Sequence, residues 1–271
     1  MKLQNKFLQI DSRKVNFICG GLGEPVILLH GFPSGFKTNN KILTEFSKKF
    51  KVYGINLPGF GYSDKLKDNM SIKDYVDFID RFTDKMKISK FRLVGISYGG
   101  MLSLKYTANY PEKVKKLLVV SPPFQTSRLS FSLQNLVKSF IWLYENFNFI
   151  DNLASYIIRN DVFMPFLQKL IVGNNDKRDY INNIEALRKI KTIDFVKLIK
   201  NLLYLDLRND CSNIKTKTFI MIGLRDRWIN EKSGIELSNL IKNSVLVKVD
   251  AEHYNIIKTF SEKKLVELFK N

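Results

Sequence analysis

The chain has 271 residues, of which 45% are hydrophobic and 26% charged, and its formal net charge is +18. This length can bury a full core as one α/β domain, and neither a linker nor an internal repeat divides it. With two cysteines and two histidines, the composition argues against a disulfide framework and a Cys/His metal cluster, so no metal or cofactor is expected. The lysines are scattered over predicted helix faces, which favours a compositional bias over a nucleic-acid-binding surface.

Residues 1–6 lack the long apolar run of a secretory signal. The most apolar stretch, 131–150, is interrupted by Lys138 and Glu145, which predicts no membrane span and no stable membrane insertion. A cytoplasmic location is therefore expected.

The first elements in chain order are a hairpin and then strands that alternate with helices. Strands are predicted at 7–10, 15–19, 25–29, 52–55, 91–94 and 116–120, with helices at 38–49, behind the capping pattern of Ser71 and Asp74, and at 100–106. The third strand is followed by His-Gly-Phe-Pro at 30–33, and the fourth by a loop rich in turn residues at 57–64. This alternation is typical of a mostly parallel sheet covered by helices on both faces.

The pentapeptide 95–99, Gly-Ile-Ser-Tyr-Gly, lies between the strand at 91–94 and the helix that follows. A serine between two glycines at such a reversal is the pattern of a nucleophile elbow. The turn holds the hydroxyl of Ser97 out at the top of the sheet, and the backbone N–H groups of the new helix point towards whatever it attacks.

Residues 122–210 break the alternation, because helical periodicity continues there without an obvious strand. The alternation resumes with strands at 218–222 and 245–249, a helix at 231–242 and a final helix from about 255. We therefore predict a core domain formed by 1–121 and 211–271, with an all-helical cap inserted at 122–210 over the edge of the sheet where such folds bind ligands.

A serine hydroxyl needs a base, and histidine suits that task. His253 follows the last predicted strand, so it is expected at the edge where Ser97 emerges, with Asp226, after the preceding strand, as the acid that orients it. Asp250 and Glu252 are alternative acids, although both are close in sequence to the histidine. An acid could also follow the strand at 116–120, but the sequence there is Ser-Pro-Pro and contains no carboxylate.

The order Ser97, Asp226, His253 resembles that of the α/β-hydrolase superfamily, and the resemblance extends over nearly the whole chain. It implies that 30–33 is the oxyanion loop, with the backbone N–H groups of Phe32 and Tyr98 as donors and His30 as a structural brace. Two positions depart from the family pattern. Asn56 stands where aspartate is usual, and Glu252 replaces a small residue before the histidine.

Within that superfamily, a serine at the elbow argues against the epoxide hydrolases and haloalkane dehalogenases, which have aspartate there. Hydrolysis of a small-molecule carboxylic ester through an acyl-enzyme is the expected reaction. Thioesterase or acyltransferase, C–C bond hydrolase and aminopeptidase activities use the same triad and stay open, as does a non-catalytic ligand-binding role.

The substrate is expected to contact Phe32 and Tyr98 in the core and Phe140 and Trp142 in the cap, where aromatic residues predict an apolar acyl pocket. The cap aromatics are Phe131, Phe140, Trp142, Tyr144, Phe147, Phe149, Phe163 and Phe166. Basic residues of the cap raise the further hypothesis that an acidic acyl carrier protein delivers the substrate. They are Lys138, Arg159, Lys169, Lys177, Arg178, Arg188, Lys189 and Lys191.

Overall fold

A computed structural model describes residues 2–32, 35–65, 70–128, 131–147, 149–160, 190 and 192–270. Its centre is an eight-stranded sheet with the order β1-β2-β4-β3-β5-β6-β7-β8. The strands are β1 (Gln4–Ile10), β2 (Arg13–Gly20), β3 (Pro25–Leu29), β4 (Lys51–Ile55), β5 (Phe91–Ile96), β6 (Val114–Val120), β7 (Thr218–Gly223) and β8 (Ser244–Val249). β2 is antiparallel to β1 and β4, and the other neighbours are parallel.

Helices flank the sheet, and two clusters of buried apolar side chains make up most of the core. Numbered over the described residues, the helices are α1 (Asn40–Ser47), α2 (Ile72–Lys85), α3 (Tyr98–Asn109), α4 (Phe131–Asn146), α5 (Phe149–Arg159), α6 (Thr192–Leu203), α7 (Arg208–Ser212), α8 (Glu231–Leu240), α9 (Ile256–Phe260) and α10 (Glu262–Lys270). Short 3-10 helices lie at Phe36–Asn39, Thr126–Arg128 and His253–Asn255. The predicted α/β class, a mostly parallel sheet with helices, is confirmed.

Local sequence signals explain where several elements begin and turn. Ser71 and Asp74 form a reciprocal capping box at the start of α2, which satisfies two amide groups that a helix end leaves unpaired. Asp11 and Ser12 both adopt positive φ in the hairpin between β1 and β2, as a two-residue turn of the type I′ class requires.

The ends of two helices differ from the prediction. The helix expected at 38–49 is an α-helix only over α1, because a 3-10 turn at Phe36–Asn39 precedes it. The single final helix expected from 255 is divided into α9 and α10 at Ser261, whose φ of 82° no α-helix can contain.

The described residues between β6 and β7 are helical, apart from connecting segments and one isolated bridge between Gln125 and Asp206. They contain α4 to α7. Residues 161–189 of the predicted cap lie outside the described residues, so the cap boundaries at 122 and 210 stay a prediction.

Candidate active site

The carboxyl ends of β5, β7 and β8 bring the three predicted catalytic side chains to one edge of the sheet. Ser97 follows β5 directly, Asp226 lies in the turn after β7, and His253 begins the 3-10 helix after β8. Because these strands run parallel to one another in one sheet, their carboxyl ends face the same side.

The turn at Ser97 has the strained backbone that the elbow pattern requires, with φ 50° and ψ −115°. A side chain at either flanking glycine would collide with neighbouring backbone. A Cβ on Gly99 would approach the Leu29 carbonyl oxygen to 2.4 Å, and one on Gly95 would approach the Gly99 carbonyl oxygen to 2.5 Å. The two glycines therefore let α3 start close against the ends of β3 and β5.

Two hydrogen bonds join the three side chains. His253 Nε2 lies 3.0 Å from Ser97 Oγ, and His253 Nδ1 lies 2.6 Å from Asp226 Oδ2. The Asp226 side chain is fully buried and that of His253 is 9% exposed, so little water competes for these contacts. With Nδ1–H donating to the carboxylate, Nε2 is free to accept the serine proton.

Asp226 accepts hydrogen bonds on both carboxylate oxygens. The backbone N–H groups of Trp228 and Ile229 donate to Oδ1 at 2.8 and 3.0 Å, and the hydroxyl of Ser121 donates to Oδ2 at 2.7 Å. Burial alone raises the pKa of this carboxyl, but the charge of His253 and these hydrogen bonds outweigh it and lower the pKa of Asp226 below its ordinary value. The carboxylate is therefore held ionised.

Sequence reasoning treated position 121 only as a place without an acid and did not find the Ser121 hydroxyl beside Asp226. The alternative acid Asp250 instead forms an exposed ion pair with Arg225, with 2.9 Å between Oδ1 and Nε. Its side chain is 75% exposed.

His30 is fully buried and joins two loops, as the brace interpretation predicts. Its Nδ1 lies 2.9 Å from the Gly31 carbonyl oxygen, and its Nε2 accepts a hydrogen bond of 3.1 Å from the Leu57 N–H. Burial lowers the pKa of His30 to about 4, so the ring is neutral at pH 7.

The two predicted oxyanion donors lie next to Ser97 in the chain or next to a residue that approaches it. Tyr98 is the first residue of α3, where backbone N–H groups have no partner within the helix. A Cβ on Gly31 would lie 3.2 Å from Ser97 Cβ, so the backbone that leads into Phe32 passes directly beside Ser97.

Asn56, the departure from the family pattern, belongs to a buried network of amides. Its Nδ2 donates to Asn16 Oδ1 at 2.7 Å, and its Oδ1 accepts from the Phe36 N–H at 2.9 Å. Ser63 Oγ also donates to the Asn56 carbonyl at 2.8 Å. Because Asn16 presents an oxygen, the residue opposite must donate, which an amide does and a carboxylate does not.

An aromatic group lies over the oxyanion loop and extends into the cap. The Phe195 ring is 5.2 Å from that of Phe32 and 5.7 Å from that of Phe140. Trp142 is 57% exposed and its ring contacts Phe147, so the structure does not bring it into this group. The predicted cap residues Phe163 and Phe166 lie outside the described residues.

Polar contacts between α6 and the core, which sequence reasoning missed, hold this part of the cap over the site. Asn201 Nδ2 donates to the Tyr98 hydroxyl at 2.8 Å and to the Met70 carbonyl at 2.9 Å. Asp194 forms an ion pair with Lys65. The residue that supplies a predicted oxyanion donor is thereby bonded to the cap.

The sheet order and the serine elbow with its histidine define a hydrolase architecture. The chain belongs to the alpha/beta hydrolase fold family, whose model matches residues 24–259. An esterase from Exiguobacterium antarcticum has a similar structure, with a TM-score of 0.81 and 18% identity over 99% of this chain and 100% of that one.

Two curated relatives are similar in sequence. A cis-3-alkyl-4-alkyloxetan-2-one decarboxylase of Shewanella oneidensis is 25% identical over 71% of this chain and 64% of its own length. A 2-hydroxy-6-oxononadienedioate/2-hydroxy-6-oxononatrienedioate hydrolase of Escherichia coli is 28% identical over 84% of this chain and 80% of its own. The chain spans only 30% to 38% of the length of four other curated relatives. Within the part of the chain that the structure describes, no helix is long and apolar enough to span a bilayer.

Proposed function

We propose that the protein is a serine hydrolase that cleaves a small-molecule carboxylic ester through an acyl-enzyme intermediate. The observation that carries the proposal is the pair of hydrogen bonds, 3.0 and 2.6 Å long, that connects Ser97 to His253 and His253 to Asp226. A serine with a base and a buried acid in this arrangement is activated for attack on a carbonyl carbon.

The reaction follows from the positions of these groups. Ser97 Oγ attacks the ester carbonyl while its proton passes to His253 Nε2, and Asp226 stabilises the imidazolium that forms. The negative oxygen of the tetrahedral intermediate accepts hydrogen bonds from the N–H groups of Phe32 and Tyr98. His253 then protonates the departing alcohol. Water attacks the acyl-enzyme while His253 Nε2 takes its proton, and His253 returns that proton to Ser97 Oγ as the carboxylic acid leaves.

The aromatic group around the oxyanion loop supports an apolar acyl chain as the substrate. The rings of Phe32, Phe195 and Phe140 contact one another from the loop at 30–33 into the cap, and a pocket lined by apolar side chains with a few polar groups binds such chains. Cleavage of a C–C bond beside a carbonyl uses the same triad and is the second candidate, supported by the similarity to the Escherichia coli hydrolase.

The test is turnover of p-nitrophenyl esters with acyl chains of two to sixteen carbons, together with labelling by a fluorophosphonate probe. The proposal expects saturable turnover and a single adduct on Ser97, both lost in Ser97→Ala. Ser47→Ala is the matched control, because it removes a buried serine hydroxyl in α1 that donates only to the Thr44 carbonyl. Labelling that persists in Ser97→Ala contradicts the proposal, and turnover of a vinylogous 1,5-diketone but of no ester favours the second candidate.

An acidic acyl carrier protein as the source of the substrate is a separate proposal. It depends on basic residues of the cap, and among those named above only the Lys138 side chain lies within the described part, where it is exposed. Such a partner would be recognised through surface charge, so the salt dependence of KM tests it.

A further inference from the structure

Ser121 lies at the carboxyl end of β6, between the strands that carry Ser97 and Asp226. The edge of the sheet therefore presents one polar side chain after each of four neighbouring strands, β5 to β8: Ser97, Ser121, Asp226 and His253. Three of these have roles in the proposed reaction. Ser121 is 1% exposed and has none so far.

The backbone of Ser121 is held in an unfavourable conformation. Its φ is 42°, in the left-handed region that residues with a side chain rarely adopt. Its N–H donates to the Met221 carbonyl at 2.8 Å, which ties this residue to β7. Glycine would adopt the same φ without strain, so a serine here implies that its hydroxyl has a use.

The hydroxyl contacts the oxygen that matters for the histidine. Ser121 Oγ is 2.7 Å from Asp226 Oδ2, the atom that also lies 2.6 Å from His253 Nδ1. Because an ionised carboxylate only accepts hydrogen bonds, the Ser121 hydroxyl donates. The two backbone donors bind only Oδ1, so among the described contacts Ser121 is the one protein group besides His253 that restrains Oδ2.

We propose that Ser121 is a positioning residue that orients the Asp226 carboxylate towards His253 by donating a hydrogen bond to Oδ2. The inference rests on the proposed function for its catalytic consequence. Without this donor the carboxylate rotates more freely about its Cβ–Cγ bond, and the bond to Nδ1 lengthens. The acid then holds the imidazole less firmly during proton transfer, whereas substrate binding on the other side of the ring is untouched.

Two substitutions separate this role from a structural one. Ser121→Ala removes the hydroxyl and keeps the backbone strain, while Ser121→Gly removes the hydroxyl and relieves the strain, so the glycine variant should have the higher Tm. If Ser121 positions the acid, kcat falls in both by about tenfold, the size of a lost hydrogen bond to a charged group, and KM is unchanged. Ser12→Gly is the matched control for the relief of backbone strain, because Ser12 also has a positive φ, 65°, but lies in the exposed turn between β1 and β2.

Proton NMR gives a readout that needs no activity. The chain has two histidines, and both place Nδ1 within hydrogen-bond distance of an acceptor, so two low-field N–H resonances are expected. His253→Ala assigns one of them. In both Ser121 variants the His253 resonance should shift or broaden, while that of His30, bonded to the Gly31 carbonyl, should stay in place as an internal reference.

The outcomes distinguish the two proposals. A fall in kcat in both variants with a shifted His253 resonance supports the role of Ser121. A kcat within twofold of the wild type in both variants, or a kcat that follows Tm so that only Ser121→Ala is impaired, overturns it. A wild-type protein without ester turnover contradicts the proposed function instead, and the resonance then decides alone: an unchanged His253 signal in Ser121→Gly overturns the contact.

Discussion

Replacing the Asp226 carboxylate by an amide tests the proposed acid with little change in volume. In the wild type, the Trp228 and Ile229 N–H groups donate to Asp226 Oδ1. In Asp226→Asn the amide oxygen can accept the same two hydrogen bonds. The NH₂ group then takes the place of Oδ2 and faces His253 Nδ1. Because NH₂ only donates, Nδ1 must accept, and the ring proton moves to Nε2, where it blocks acceptance of the Ser97 proton.

The expected loss follows from this change of tautomer. We expect kcat to fall by about 10⁴, the effect of the equivalent change in a Ser-His-Asp triad, which corresponds to about 5.5 kcal/mol of transition-state stabilisation. The free energy of unfolding should change by only about 1–2 kcal/mol, because two of the four hydrogen bonds are kept and the Ser121 hydroxyl can turn to accept one from the new NH₂.

The assay is steady-state hydrolysis of p-nitrophenyl butyrate, with urea unfolding measured on the same samples. Asp250→Asn is the matched control, since it removes an exposed carboxylate close to His253 in sequence that pairs with Arg225. Its kcat should remain within about twofold of the wild type. A loss of less than tenfold in Asp226→Asn, or a collapse in Asp250→Asn, would refute the reasoning.

Three further predictions concern stability, specificity and the partner. His30 is neutral in the fold because its pKa is about 4 against an ordinary 6.5, so the stability that it contributes above pH 6.5 is lost as the pH falls to 4, by up to about 3 kcal/mol. The free energy of unfolding in urea should therefore fall less between pH 7 and pH 4.5 in His30→Gln than in the wild type. An equal fall in both proteins would contradict this. Phe195→Ala removes the ring that contacts Phe32, so kcat/KM for the butyrate ester should fall about tenfold and the preferred acyl chain should lengthen; an unchanged chain-length profile would place the acyl group elsewhere. If a carrier protein delivers the substrate, KM for a carrier-bound methyl ester should rise steeply between about 50 and 200 mM salt. Replacing Arg188, Lys189 and Lys191 by glutamate should raise this KM in the same way. If KM for p-nitrophenyl acetate responds equally, the carrier hypothesis is wrong.

The fold could be predicted because its signals are local. Continuous apolar runs predict β3, β6 and β7, and the pentapeptide around Ser97 identifies a reversal within a few residues. Proximity of Ser97, Asp226 and His253 followed from one rule, that the ends of parallel strands meet at the same edge of a sheet.

The contacts that were missed have no local signal. Ser121 and Asp226 are 105 positions apart, and Asn201 and Tyr98 are 103 apart. A serine after a strand or an asparagine in a helix occurs in many surroundings, so only the three-dimensional arrangement identifies its partner. Trp142 illustrates a related limit, because helical periodicity gives the spacing of apolar residues and does not say which of them faces the core.

The row of side chains at the ends of β5 to β8 has a consequence for how the protein loses activity. These four strands are parallel, hydrogen-bonded neighbours in a single sheet, with β8 at its edge. β5 to β7 lie inside the sheet and are almost entirely buried. We expect the amide protons of β5 to β7 to exchange only when the whole domain opens, because buried core strands belong to the most stable cooperative unit of a fold. The distances between Ser97, His253 and Asp226 should therefore persist until that opening. Loss of activity and hydrogen exchange of the β6 amide protons should then have the same rate under denaturing conditions. The amide protons of α6 can exchange earlier, because opening of α6 does not separate Ser97 from His253.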